Sequence, residues 1–148
     1  IYNQSSQSAT FNSTRYYSED LLMTEIENED ITLFKKIAKS QISINEYANY
    51  MSFSQARTDK GQYIFYYDNE NNLNLEDDKQ PSTVSSAKSN ALFCVFIDRN
   101  GKSTQKIVDM PKGYHCAGRM YRISNNKLLI GTFNGFSRKL DLTIVTIE

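Results

Sequence analysis

The sequence places one candidate base beside one candidate nucleophile. His115, the only histidine, directly precedes Cys116. An imidazole can activate a thiol for nucleophilic catalysis, but adjacent residues on a strand point to opposite faces of a sheet. The histidine would have to reach Cys94 through the fold instead, and we expect no nucleophilic catalysis.

The two cysteines also lack the spacing of a metal site. There is no CxxC motif, and a single histidine cannot complete a zinc site. Cys94 lies within an apolar run, which predicts a buried thiol that packs as a small hydrophobe. In an oxidising compartment a disulfide between Cys94 and Cys116 is the alternative.

Carboxylates suggest two further chemistries. The acidic stretch 68–78 carries oxygen ligands that suit calcium. Counted from Asp68, however, the sixth and twelfth positions are Leu73 and Lys79, where an EF-hand has Gly and Glu. We therefore predict no metal and no cofactor, with a calcium site of another type as the alternative. Asp109 and Asp141, near predicted strand ends, are the loose candidates for the two carboxylates of a glycan hydrolase.

Tyrosines are better candidates for binding than these carboxylates, because the chain has ten of them and no tryptophan. Most should pack in the core, but exposed tyrosine rings beside arginines suit a glycan or a peptide. The candidate contacts with a ligand or partner are Tyr66, Asp68, Tyr114, Arg119 and Arg122.

The overall charge narrows the classes of partner. The chain has 148 residues, 17 of them basic and 17 acidic, so its formal net charge is zero. A nucleic-acid binder normally carries a basic surplus, and we predict no nucleic-acid partner. No apolar run approaches the roughly 18 residues that span a bilayer. The sequence also lacks GxSxG, HExxH, phosphate-loop and GxGxxG motifs.

The first half predicts strands, with one ambiguity. Residues 1–13 are polar and read as a flexible arm or an upstream strand. Apolar residues in 19–39 fit either one helix or a hairpin. We prefer two strands, 20–26 and 31–38, because a polar quartet separates them.

The middle of the chain predicts two more strands and a long loop. Residues 48–54 form one strand, and a turn follows at 58–61. Residues 62–67 are aromatic or apolar on both faces, which predicts a central strand. The Asn-, Asp- and Ser-rich stretch 68–90 predicts a long surface loop.

The last third predicts an antiparallel meander of five strands. The strands are 91–97, 103–108, 119–124, 127–133 and 137–147. Asn-Gly pairs at 100–101 and 134–135 predict tight turns, because such turns need positive φ angles.

The predicted hairpin ends in Lys35-Lys36-Ile37-Ala38-Lys39-Ser40-Gln41, a Lys-x-Ile-x-Lys-x-Gln pattern. This strand is similar to one in a family of propeller-like exported proteins of Gram-negative, Bacteroidetes-type bacteria. Residues 63–73, 95–102 and 136–140 resemble its later strands. The family's turn glycine and its Trp are missing here.

The resemblance implies blades of four antiparallel strands around an axis, most like the family's C-terminal blades. We therefore expect an all-β chain of antiparallel meanders. Residues 14–148 would form about two to three propeller-like blades, an incomplete or C-terminal part of a larger propeller.

The resemblance carries over no catalytic residue. We expect no enzyme, but a binding or scaffold module of the periplasm or cell surface. Its partner would be a protein, the remainder of a larger chain, or a glycan. The alternative is an accessory or catalytic part of a secreted glycan hydrolase.

Overall fold

The computed structural model describes residues 13–44, 51, 53–76, 78–84, 90–110, 114–124, 126–134 and 139–147. These residues form antiparallel β-sheets and no α-helix, which confirms the all-β prediction. None of them belongs to a helix that could cross a bilayer. The strands are β1 (Arg15–Ser18), β2 (Leu21–Glu27), β3 (Asp30–Ile37), β4 (Gln41–Ile44), β5 (Phe53–Arg57), β6 (Gly61–Asn69), β7 (Asn90–Asp98), β8 (Ser103–Val108), β9 (Tyr114–Ser124), β10 (Lys127–Asn134) and β11 (Lys139–Thr146).

The ambiguous segment 19–39 is a hairpin, as preferred, and not a helix. β2 pairs with β3 from Leu21 opposite Ile37 to the turn. β1 pairs with β4 on the open side of the same hairpin, so the two pairs together form one long ribbon interrupted at 19–20 and 38–40. Side chains alternate across it because successive strand residues point to opposite faces.

The turn of this hairpin lacks glycine but has the backbone of a glycine turn. Asn28 and Glu29 both have positive φ angles, 50° and 72°. Two central residues with positive φ define a type I′ turn, whose twist matches that of the flanking strands. Asn tolerates this region through its short polar side chain, whereas Glu has no such advantage.

The central sheet is an antiparallel meander in the order β5-β6-β7-β8. Residues 63–68 of β6 are all buried, which confirms the predicted central strand. The strand predicted at 48–54 differs from the structure, because β5 begins at Phe53 and continues to Arg57. Residues 48–50 and 52 of that prediction lie outside the described residues.

Two predicted turns connect this sheet. At 58–61, Thr58 N donates to Gly61 O at 2.8 Å. At 98–102, Gly101 N donates to Asp98 O at 3.0 Å, and Gly101 alone of the Asn-Gly pair has positive φ, 79°. The turn is therefore a type I turn followed by a left-handed glycine, and not the two-residue turn that Asn-Gly usually forms.

The C-terminal sheet has the order β11-β10-β9. β9 begins at Tyr114, five residues before the predicted strand, and β11 begins at Lys139. The second Asn-Gly turn falls partly outside the described residues, since Asn134 ends β10 and 135–138 are not described. The predicted arm 1–13 is likewise outside them, apart from Ser13.

The sheets stack in three layers, with the central sheet in the middle. On one of its faces, Tyr66, Phe93 and Val95 pack with Ile37 and half-buried residues of the β2–β3 hairpin. On the other face, Tyr63, Phe65, Tyr67, Leu92 and Cys94 pack with Leu128, Ile130 and Ile147 of the C-terminal sheet. Both faces of β6 and β7 are thus covered. The described strands close no ring.

In the described part of 68–90, the predicted surface loop is anchored by buried residues. Its first two residues belong to β6, and Asn90 begins β7. Asn72 is buried and exchanges two hydrogen bonds with the backbone of Ser82, at 2.9 and 2.7 Å. Val84 is fully buried and bonds to the backbone of residues 40 and 42. The loop differs from a solvated one because buried groups fasten it to the β1–β4 ribbon and to itself.

Candidate functional site

The outer face of the β2–β3 hairpin exposes large apolar side chains. Leu21, Met23 and Leu33 turn toward the central sheet. The alternation of a strand therefore sends Leu22, Ile26 and Phe34 outward, and Ile31 joins them because a β-bulge pairs it with Ile26. These four side chains are between 62% and 68% exposed.

The outer face of the C-terminal sheet repeats this arrangement on the opposite side of the molecule. Leu128 and Ile130 are fully buried against the central sheet. Leu129, between them, faces outward and pairs with Tyr121 on one side and Ile144 on the other. Four apolar side chains of this sheet are between 49% and 67% exposed: Tyr121, Ile123, Leu142 and Ile144.

Gly131 makes part of this face flat. It pairs with Leu142, and a Cβ added at Gly131 would meet no atom within 4 Å. A second sheet could therefore approach closely, since stacked sheets lie about 10 Å apart. Exposed apolar patches of this kind mark interaction sites in stable proteins.

A buried polar cluster lies where the ribbon is interrupted. Lys39 is almost fully buried, and its Nζ donates to Ser18 Oγ at 2.6 Å and to Gln41 Oε1 at 2.8 Å. Gln41 in turn donates from Nε2 to the backbone oxygen of Tyr67 in β6. These bonds join the N-terminal ribbon to the central sheet.

Asp68 completes the cluster from the central sheet. Its Oδ1 accepts hydrogen bonds from Asn69 N and Asn72 Nδ2, both at 2.9 Å. Its Oδ2 is buried with no hydrogen-bond partner among the described residues. A buried carboxylate of this kind is costly unless a charge lies near it.

Burial shifts both ionisable groups of the cluster. It raises the pKa of Asp68 to about 6, against hydrogen bonds from Asn72 and Asn69 and the charge of Lys39. It lowers the pKa of Lys39 to about 8, against the charges of Asp68 and Asp20. Each group is more easily neutralised than in water because desolvation disfavours charge.

Shifted pKa values often mark active sites, but structural ion pairs shift them as well. Asp68 and Lys39 do not line any of the described clefts. The cluster therefore has a structural role, because its hydrogen bonds link the N-terminal ribbon to the central sheet. Sequence reasoning missed it, although Lys39 and Gln41 are two of the residues in the quoted Lys-x-Ile-x-Lys-x-Gln pattern.

Two of the five predicted contact residues are fully buried. Tyr66 stacks on Phe93 at 5.5 Å and accepts a 2.7 Å hydrogen bond from Gln105 Nε2. Burial raises the pKa of the Tyr66 hydroxyl. Tyr66 and Asp68, two residues apart on β6, are thus buried on the same face of the central sheet, and neither is placed to touch a partner at the surface.

The other three predicted contacts belong to β9. Tyr114 and Arg119 lie in this strand, but their side chains are outside the described residues. Arg122 is exposed, and its Nε donates to the backbone oxygen of Ser124 at 3.2 Å. It lines a cleft of about 660 Å³ that Arg57 and Lys60 also line.

The candidate nucleophiles and acids do not form a described active site. His115 and Cys116 occupy consecutive positions of β9, opposite Phe133 and Thr132. Cys94 is a buried free thiol, as predicted, and burial raises its pKa to about 11, so the thiol stays protonated near neutral pH.

The carboxylates are equally dispersed. Asp109 lines a groove beside β11, and the described lining of that groove does not include Asp141. Within the described ranges, no three His, Cys, Asp or Glu side chains form a group that could hold a metal ion.

Comparison with known proteins adds no relative. The chain matches no protein-family model, no curated protein and no solved structure.

Proposed function

We propose that this chain is a non-catalytic scaffold and binding module, whose two outer sheet faces bind further β-sheets. The observation that carries the proposal is the pair of exposed apolar faces, one on the β2–β3 hairpin and one on the C-terminal sheet. Those sheets belong either to the remainder of a larger polypeptide or to another copy of this chain.

The energetics favour covering these faces. Burying a large apolar side chain stabilises a complex by about 1.5–3 kcal/mol relative to full exposure. Four side chains at about two-thirds exposure would then contribute roughly 5 kcal/mol for each face, before the entropic cost of association. This is enough to support docking when other parts of the interface also contribute.

The layering supports a propeller-like arrangement as the finer form of this proposal. Blades of a propeller are sheets packed face to face around an axis. Here the N-terminal ribbon, the central meander and the C-terminal sheet pack face to face, and apolar side chains are exposed on both outer sheets. Additional sheets on these faces would extend the series.

We further propose a periplasmic or cell-surface location in a bacterium. This part of the proposal is supported by the family resemblance of the hairpin and the later strands. Cell fractionation of the natural source, with antibodies against this chain, tests it: recovery in the cytoplasmic fraction alone would remove it.

The main test measures association through the outer faces. Light scattering after size exclusion, over a wide range of concentration, should show reversible association of the unmodified chain, together with binding of the apolar dye ANS. The double variant Leu22→Thr/Phe34→Thr should weaken association and dye binding, as should Leu142→Thr/Ile144→Thr. Thr24→Ser, on the same hairpin face, is the matched control and should change neither.

A monomer at every concentration that binds no dye would contradict the proposal. Equal association of the wild type and both double variants would contradict it as well, because contacts would then lie elsewhere. Circular dichroism of each variant shows whether the sheets remain intact.

A further inference from the structure

The outer edge of β11 has unpaired backbone groups. Ile147 N donates to Asn126 O at 2.7 Å, and the antiparallel register with β10 is continuous from there. Backbone groups of an antiparallel strand alternate between the two sides. Leu142, Ile144 and Thr146 therefore turn their N–H and C=O groups away from β10, and no described strand lies beyond them.

A groove runs beside this edge. It has a volume of about 590 Å³ and is lined by Phe65, Cys94, Phe96 and Val108 of the central sheet and by Val145 and Ile147 at the end of the chain. Apolar side chains form the larger part of this lining, and Val145, Thr146 and Ile147 line the groove on the β11 side. An apolar floor beside an open strand edge is the arrangement that binds peptides by strand addition.

The groove exists because three strands cover a sheet of four. Leu128 and Ile130 of β10 pack in the same cluster as Phe65 and Tyr63 of β6, and Val145 of β11 lies over that cluster beside Cys94 of β7. The described C-terminal sheet ends there, so the face of β8 that carries Thr104 and Lys106 lies beside the groove without a strand over it.

The charges at the groove favour an acidic partner. Its described lining includes Lys60, Lys106 and one carboxylate, that of Asp109. All three side chains are exposed. Complementary charge at a rim chiefly selects the partner and speeds its association.

We propose that the open edge of β11 and this groove bind an extended, acidic peptide strand, which joins the C-terminal sheet as its fourth strand. Leu142, Ile144 and Thr146 hydrogen-bond its backbone. Its alternate apolar side chains fill the groove, and acidic residues at its two ends, beyond the apolar stretch, meet Lys60 and Lys106. The site uses the backbone edge of β11 and the inner groove, whereas the outer face uses the side chains of Leu142 and Ile144, so peptide binding can fail while association through the outer faces holds.

The probe is a labelled eight-residue peptide in which a Val-Thr-Val-Thr core is flanked by two glutamates at each end, titrated with the full chain by fluorescence anisotropy. Saturable binding is expected, with a Kd below about 1 mM. Ile144→Pro removes one edge donor without touching the ladder to β10, since that N–H points outward, and should weaken binding by about tenfold or more. The matched variant Ile144→Thr keeps the N–H and should bind within about twofold of wild type.

A charge test covers the case in which Ile144→Pro fails to fold by circular dichroism. The same peptide with lysine in place of each glutamate should bind the wild type about tenfold more weakly. The variant Lys60→Glu/Lys106→Glu should reverse this preference. The proposal is overturned if neither peptide binds, if folded Ile144→Pro binds as tightly as wild type, if Ile144→Thr loses as much as the proline variant, or if charge reversal leaves the preference unchanged.

Discussion

Lys39 Nζ donates a 2.8 Å hydrogen bond to Gln41 Oε1, in the buried junction between the N-terminal ribbon and the central sheet. Gln41 passes the connection to the backbone of Tyr67. A charged side chain that is almost fully buried thus joins two layers of the fold.

We predict that Lys39→Ala destabilises the chain by about 3 kcal/mol or more, because it leaves Asp68 buried without its nearby positive charge. Lys36→Ala is the matched control. Lys36 forms an exposed ion pair with Asp20 at 2.9 Å, and loss of such a pair costs less than about 1 kcal/mol. Urea unfolding measures the free energy of unfolding of each variant. Equal losses would show that the buried Lys39 contributes no more to stability than the exposed Lys36.

Asp68 should make stability depend on pH. Burial raises its pKa to about 6 in the folded chain, against 3.8 for a free carboxyl, so the folded state binds this proton more tightly than the unfolded chain does. The resulting stabilisation is complete below the unfolded pKa and is lost as pH rises through about 6. The difference between the two pKa values corresponds to at most about 3 kcal/mol.

The measurement compares the free energy of unfolding of wild type and Asp68→Asn between pH 4 and pH 7. Wild type should gain stability relative to the variant as pH falls. Asp141→Asn, at an exposed position of β11, is the control for general charge effects. A wild-type advantage that instead grows toward pH 7 would contradict the assignment of the raised pKa.

The hairpin turn can be stabilised at Glu29. With φ at 72°, a residue with a Cβ is strained there by about 1 kcal/mol. Glu29→Gly relieves this strain, so we predict a gain of about 0.5–1 kcal/mol after the added flexibility of the unfolded chain. Glu29→Ala keeps the Cβ and should bring no gain. If alanine stabilises as much as glycine, the carboxylate and not the backbone is responsible.

Two glycines should respond oppositely to alanine. Gly61 has φ of 155°, and a Cβ there would collide with the backbone oxygen of Ile97. Gly61→Ala should therefore cost about 2 kcal/mol or more. Gly131→Ala enters open space and should change stability by less than about 1 kcal/mol. Thermal unfolding monitored by circular dichroism measures both, and a neutral Gly61→Ala would mean that β6 and β7 can separate without loss.

The sequence by itself determined the features that depend on neighbouring residues. Alternating apolar residues around a polar quartet predicted the β2–β3 hairpin, and an apolar run on both faces predicted the buried β6. Gly101 marked its turn, and the apolar surroundings of Cys94 predicted its burial. Strand period and turn geometry are local, so residue order is enough to indicate them.

Only the tertiary structure decided which polar residues are buried. In the sequence, three residues have the character of surface residues: Lys39, Gln41 and Asp68. The sequence predicts Asp68 as a partner contact. All three are buried because a ribbon near residue 40 meets a strand and a loop from 67–84, and their hydrogen bonds form only across that junction. The stacking of the three sheets likewise determined which faces of the described strands are exposed. Side-chain alternation distinguishes the two faces of a sheet, but it does not say what covers each face.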